Sequence, residues 1–99
     1  MIAITRTASI APGKTGNAVA FSRQIAQHIK DKHGVTLEVF MPIGGNPARI
    51  AWHTRYESLV KWEALTAKLL ADKEYMELVA IHGDLFLPGS VRDRIWRNV

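Results

Sequence analysis

The chain has no cysteine. That absence removes disulfide staples, cysteine metal sites and thiol nucleophiles together, and it fits a reducing, cytoplasmic setting. Long apolar runs are missing too. Nothing approaches the ~20 residues that a membrane-crossing helix needs. The opening MIAITRTASI lacks both the basic start and the apolar stretch of a secretion signal. A soluble protein with no membrane partner is expected. Nor is charge gathered into blocks. Thirteen Lys+Arg against nine Asp+Glu give a net charge of +4, but the basic residues are spread from Arg6 to Arg97. Only Arg92, Arg94 and Arg97 come close together. Scattered charge reads as a solvated surface, so no nucleic-acid partner is expected.

Chemical motifs are equally sparse. The four histidines, His28, His33, His53 and His82, show neither HxxxH nor HxH spacing, so no metal site is expected within the chain. His33 and His82 each precede a glycine, where the dipole of a helix end accounts for them. His28 adjoins an apolar stripe as a boundary residue. No serine has the GxSxG context of a nucleophile elbow. The run ASIAPGKT, 8–15, imitates a P-loop, but Pro12 deletes a backbone donor and no later strand ends in a magnesium-binding aspartate. A Pro-Gly turn with Thr15 as helix cap is the reading adopted. The aromatic run by which sheet-surface proteins stack RNA bases is also absent. No cofactor is expected.

What is present is regular patterning. With 47% hydrophobic and 22% charged residues, 99 residues make one globular domain spanning 1–99. Ile2 and Ile4 alternate with Ala3 and Thr5, predicting a strand over 2–9. From Thr15 to His33, Ala18, Phe21, Ile25 and Ile29 recur at three- and four-residue steps, a helix closed by Gly34. VTLEVFM, 35–41, and IAWHTRYES, 50–58, flank the turn-rich PIGGNPA and predict a hairpin. Ser58 caps a second helix striped by Leu59, Trp62, Leu65 and Leu69. Asp72 caps a shorter third helix that ends near Gly83, and VRDRIWRNV supplies the last strand. With right-handed crossovers this order gives an α+β ferredoxin-like plait: βαββαβ, a short extra helix before the last strand, and a four-stranded antiparallel sheet.

Two helices cover one face of such a sheet, and nothing in the chain covers the other. Strand parity leaves Ala3, Thr5, Thr7, Glu38, Phe40, Arg92, Arg94 and Trp96 on that bare face. Phe40 and Trp96 are too large and apolar for water alone, so a second copy packed sheet to sheet over a lined cavity is expected. For 50–58 two parities compete. Either Ile50 and Trp52 lie under the helices, with His53 and Arg55 on the bare face beside Glu38, or Trp52 and Tyr56 line the cavity. The cost of burying Arg55 favours the first.

The stretch RYESLVKWEALTAKLLADKEYMELV then carries a resemblance. A strand ending in aromatic-Glu-Ser, a helix, and an Asp-started short helix with Tyr75 resemble the dimeric α/β-barrel superfamily. That superfamily includes the NIPSNAP-like, antibiotic-biosynthesis-monooxygenase-like and EthD-like small proteins. The Pro12-Gly13-Lys14 turn and the glycine-rich hairpin resemble the NIPSNAP-like group. The resemblance covers nearly the whole chain. It implies a homodimer whose two sheets close into a barrel, and it turns Trp52 and Tyr56 toward the cavity, against the burial argument. Both residue pairs therefore stay in play. Thr5 or Thr7 stands near the position where haem-degrading members carry an asparagine, and Met76 or Glu77 near their histidine, which argues against haem cleavage.

The expected function is binding of an apolar or aromatic small molecule in the barrel, with a cofactor-independent monooxygenase or isomerase as the reaction class. His53 would move a proton and Arg55 or Arg94 would hold an anionic oxygen. Glu38, Phe40, Trp52, Tyr56, Arg94 and Trp96 would line the cavity. The competing reading is a non-catalytic homodimeric module whose interior is filled by side chains.

Overall fold

The computed structural model describes residues 1–99. Its elements are β1 (Ile2–Ser9), α1 (Thr15–His33), β2 (Glu38–Phe40), β3 (Arg49–Tyr56), α2 (Leu59–Leu70), α3 (Lys73–Ile81), a 3₁₀ turn (Gly83–Leu85) and β4 (Arg92–Arg97). The four strands form one sheet in the order β2-β3-β1-β4. Every pairing is antiparallel, as a ferredoxin-like plait requires. The expected barrel is not formed. The sheet is open, with β2 and β4 as its two edges, and the chain has no further strand to close it. The implied barrel closure is therefore corrected to an open, one-sided sheet.

Local chemistry explains the boundaries. At Gly13 the backbone takes φ +76, so the Pro-Gly turn enters the left-handed region that glycine tolerates. Lys14, not Thr15, occupies the N-cap of α1, and Thr15 is already helical. Gly34 ends α1 at φ 69, its N–H donating to the Lys30 carbonyl at 3.0 Å. Ser58 and Asp72 cap α2 and α3 as expected, accepting from Lys61 N–H at 3.4 Å and Tyr75 N–H at 3.1 Å. β2 is shorter than its sequence pattern: only Glu38, Val39 and Phe40 pair, against His53, Trp52 and Ala51.

β1 is one of the two inner strands, and its alternation sorts the molecule into two sides. Ile2, Ile4 and Ala8 are buried toward the helices, while Ala3, Thr5, Thr7 and Ser9 look the other way. The register then fixes β3. Ile4 faces Thr54 and Ala8 faces Ile50, so Ile50, Trp52, Thr54 and Tyr56 lie under the helices. Phe21, Ile25 and Ile29 of α1 pack with Leu85 in one core cluster, and Ile10, Ala18 and Ile50 form a second beside it. β4 is exposed along its whole length, because the helices do not reach over it. On its helix side Asp93 pairs with Arg6 of β1, whose Nε and Nη2 donate to the two carboxylate oxygens at 2.7 and 2.9 Å. This bidentate pair fastens the edge strand where apolar cover is missing.

Ile50 is only 1% exposed. Ile50→Ala should lower unfolding free energy by about 2–5 kcal/mol in urea titration, the range for removing a close-packed core side chain. The Asp93 carboxyl is held below its ordinary value chiefly by the hydrogen bonds from Arg6. A carboxyl depressed in the folded state contributes stability above its unfolded value, near 3.8, and loses it as pH falls further. Asp93→Asn should therefore be less stable than wild type near neutrality, and the difference should shrink as pH drops below about 4 in urea titrations.

Candidate functional site

An extensive concavity lies between the layers, on the helix side of the sheet. It measures about 460 Å³ and is lined by 21 residues, 16 of them hydrophobic, so it presents an apolar chamber with a few polar groups. Ile4, Ala8, Trp52, Thr54 and Tyr56 form the sheet wall, Ile25 and Ile29 the α1 wall, and Trp62, Leu65, Leu69, Tyr75 and Val79 the α2–α3 wall. Phe86 closes one side, its ring edge-on to Trp52 at 5.4 Å and tilted against Phe21 at 5.9 Å. The volume falls in the range of small-molecule sites, which are concave, mostly apolar and provided with a few polar groups.

Those polar groups are Arg6, Thr54, Tyr56, Thr66, Tyr75 and His82. Burial pushes the phenols of Tyr56 and Tyr75 above their ordinary value, so both stay protonated near neutrality. A protonated phenol can donate a hydrogen bond to a ligand oxygen. The guanidinium of Arg6 is already committed to Asp93, and that hydrogen bond raises its affinity for its proton further. The chamber thus offers neutral donors in an apolar wall, and its one fixed cation comes with a built-in counter-ion.

The expected site residues divide between the two sides of the sheet. Trp52 and Tyr56 line the interlayer chamber. Glu38, Phe40, His53, Arg55, Arg94 and Trp96 stand on the open face, where one register row runs Glu38, His53, Thr5, Arg94. The favoured parity for β3 is the observed one, with Ile50 and Trp52 inward and His53 and Arg55 outward. The two expectations for this strand conflicted only because both assumed that a cavity must lie on the bare face. On that face His53 does not bond Glu38, its cross-strand neighbour. Its Nδ1 lies 3.0 Å from the Thr5 hydroxyl, and its ring is edge-on to Phe40 at 6.3 Å. The hydrogen bond of His53 is thus to a hydroxyl and not to the carboxylate.

The P-loop look-alike is a plain turn. Lys14 extends toward Asp84 at 3.7 Å, a carboxylate where a phosphate binder would keep its lysine free. Sequence reading passed over Arg6, Thr54, Trp62 and Tyr75 as site residues. Arg6 carried a usable signal: it is the one charged residue among the inward positions of β1. It also missed a polar cluster of His28, His33 and Asp72, because the spacing of the two histidines matches no ligand motif. His28 Nε2 and His33 Nε2 lie 2.7 and 2.9 Å from the same Asp72 oxygen. The two imidazole hydrogen bonds, His28 first, hold the Asp72 carboxyl far below the usual range, and the Tyr75 N–H adds to them. These three side chains are the group that could hold a metal ion. No helix is long and apolar enough to cross a membrane.

No protein-family profile matches the chain, and no curated protein does. Solved structures do. An uncharacterised NIPSNAP domain protein from Burkholderia xenovorans superposes with a TM-score of 0.86 at 14% identity, over 100% of this chain and 95% of that one. A NIPSNAP family protein of unknown function from Agrobacterium tumefaciens gives a TM-score of 0.84 at 19% identity, over 99% and 87%. A protein from Nitrosomonas europaea named as a candidate antibiotic biosynthesis monooxygenase gives 0.76 at 14% identity, over 100% and 99%. At such identities it is the fold that is shared: this chain has, over its whole length, the fold of NIPSNAP-like and antibiotic-biosynthesis-monooxygenase-like proteins.

Proposed function

We propose that this single-domain protein binds an apolar or aromatic small molecule in the interlayer chamber, and that two copies associate through their open sheet faces. The observation that carries the first half is the chamber itself, large enough for a ligand of one or two rings and walled by aromatic and aliphatic side chains. A module whose interior was filled by its own side chains would have no such space. Tyr56 and Tyr75, protonated near neutrality like any phenol and more so for being buried, supply directional donors for a carbonyl, enol or phenol oxygen on the ligand. The candidate monooxygenase of the same fold supports monooxygenation as the reaction class. Isomerisation through an enol would use the same donors. The sequence alone supports a cytoplasmic setting, through its lack of cysteine.

The second half rests on the uncovered face. Trp96 is 60% and Phe40 49% exposed on one side of the same sheet, and each would gain a few kcal/mol from burial. His53 and Arg55, first considered as a catalytic pair, stand on this face and are assigned here to self-association. They do not reach a ligand on the other side of the sheet.

Trp52 and Trp62 line the chamber and Trp96 does not, so the tryptophans report the two halves separately. In a Trp96→Phe background, a naphthalene sulfonate probe should still quench tryptophan emission, saturating at one probe per chain. Leu69→Trp, which fills the chamber, should weaken that binding by about tenfold or more, as expected when a well-fitting pocket is occluded. Equal binding by wild type and Leu69→Trp would remove the chamber from the proposal. Trp96→Asp should shift sedimentation toward monomer and leave probe binding intact. Unchanged sedimentation would sink the assignment of the open face.

A further inference from the structure

We propose that His28, His33 and Asp72 form a binding site for a divalent first-row transition-metal ion, with zinc as its simplest occupant. Asp72 sits in the short link between α2 and α3, and its carboxylate is divided between two tasks. Oδ1 accepts the Tyr75 N–H at 3.1 Å and so fixes the group as the cap of α3. Oδ2 points at α1 and meets both imidazoles, His28 Nε2 at 2.7 Å and His33 Nε2 at 2.9 Å. The side chains of His28, Asp72 and His33 are 8%, 10% and 12% exposed, which leaves the group nearly enclosed but reachable by a small ion.

A hydrogen-bond staple between α1 and the α2–α3 link would need one histidine. Here two converge on a single oxygen atom, each obliged to present Nε2–H to it, with their rings edge-on at 6.2 Å. Two nitrogens and one oxygen, all within 4.8 Å of one another, are the ligand set of a three-coordinate protein site with one position left for water. Tetrahedral zinc at about 2.0–2.1 Å from each donor would set neighbouring donors about 3.4 Å apart. The two nitrogen–oxygen separations, 2.7 and 2.9 Å, would open by roughly 0.5–0.7 Å.

A second feature points the same way. Glu74, 63% exposed, places Oε2 at 3.6 Å from Nδ1 of His28. When Nε2 binds a metal the imidazole proton moves to Nδ1, and a carboxylate at that nitrogen is the usual partner that fixes the tautomer. Proton count is conserved, because each neutral imidazole only exchanges the nitrogen that carries its hydrogen. With two neutral imidazoles and one carboxylate the group carries a single negative charge, which favours a cation. Imidazole-rich donors select zinc, copper, nickel or cobalt over magnesium or calcium, which need more oxygens. Binding would lock the C-terminal turn of α1 to the start of α3. Ile29 and Tyr75, on those two elements, are walls of the ligand chamber.

The test uses the full chain, stripped with chelator and titrated with zinc alone by calorimetry and thermal unfolding. Wild type should bind one zinc per chain with micromolar or tighter affinity and should show a rise in Tm. His33→Gln keeps an N–H donor for Asp72 but loses the imidazole ligand, so it separates a staple from a metal site. It should fold with a Tm close to that of metal-free wild type and bind zinc at least about 100-fold more weakly, beyond the loss typical of a mere outer-shell change. Glu74→Gln, at an exposed position, should fold normally and weaken binding by about tenfold. Absence of binding in stripped wild type, or equal zinc-induced shifts in wild type and His33→Gln, would overturn the proposal. If His33→Gln failed to fold, equal zinc affinity in wild type and a His28→Gln variant would overturn it in the same way.

Discussion

Everything in this molecule depends on the two-residue period of β1. It is one of the two inner strands and pairs with both β3 and β4, and its even positions, Ile2, Ile4, Arg6 and Ala8, face the helices. Antiparallel register carries that choice sideways, to Ile50, Trp52, Thr54 and Tyr56 on β3 and to Asp93, Ile95 and Arg97 on β4. A slip of one residue would exchange the two faces of the sheet. It would push His53 and Arg55 under α1 without a partner and bring Ile50, Trp52 and Tyr56 into water. The cost of burying an unpaired guanidinium makes that alternative far less stable. The chamber wall and the open face are thus two consequences of one register.

Much of the architecture could be read directly from the residues. Alternation in β1, the Ala18–Phe21–Ile25–Ile29 stripe and the cap residues Ser58 and Asp72 each act locally, so they mark their elements without tertiary information. The parity of β3 was only half legible: burial cost ranks Ile50 above Arg55 for the inner side, but the resemblance pointed the other way and left both pairs open. The chamber was not. Alternation says which residues point at the helices, but not how far off the helices stand. That distance is set by bulky contacts elsewhere, such as Phe86 wedged between Trp52 and Phe21. Inward apolar residues read equally well as a filled core, and the bare face attracted the functional reading by default. The barrel expectation failed for a related reason: it came from resemblance and concerned a second sheet, whereas this chain's own hydrogen bonding ends at two free edges.

The histidine cluster shows a different limit. His28 and His33 lie on α1 and Asp72 about forty positions later, so no short window of sequence contains the group. Each residue has an ordinary local explanation: a boundary position, a helix end, a cap. Only the packing of the α2–α3 link against the end of α1 turns three local roles into one constellation. Asp72 could serve both because a carboxylate has two oxygens, and capping uses one.

Charge distribution constrains how the open face could meet a second copy. Arg49, Arg55, Arg92 and Arg94 share that side with a single acid, Glu38. Two such faces brought together squarely would oppose like charges, which is unfavourable at short range. In the proposed association, an arrangement that sets Glu38 of each copy against an arginine of the other would relieve that opposition. Trp96 and Phe40 lie at opposite edges of the sheet, on β4 and β2. A two-fold axis along the strands would lay the β4 edge of one copy over the β2 edge of the other and set Arg94 over Glu38, which share a register row, with Phe40 and Trp96 two residues to either side of that row. In that arrangement charge pairing fixes the register, and Phe40 meets the row of Arg92 rather than Trp96. The inner face follows the opposite rule. Its fixed cation, Arg6, is neutralised within the chain by Asp93, so a ligand of the proposed kind would be selected there by shape and hydrogen bonding, and a second copy on the outer face by charge.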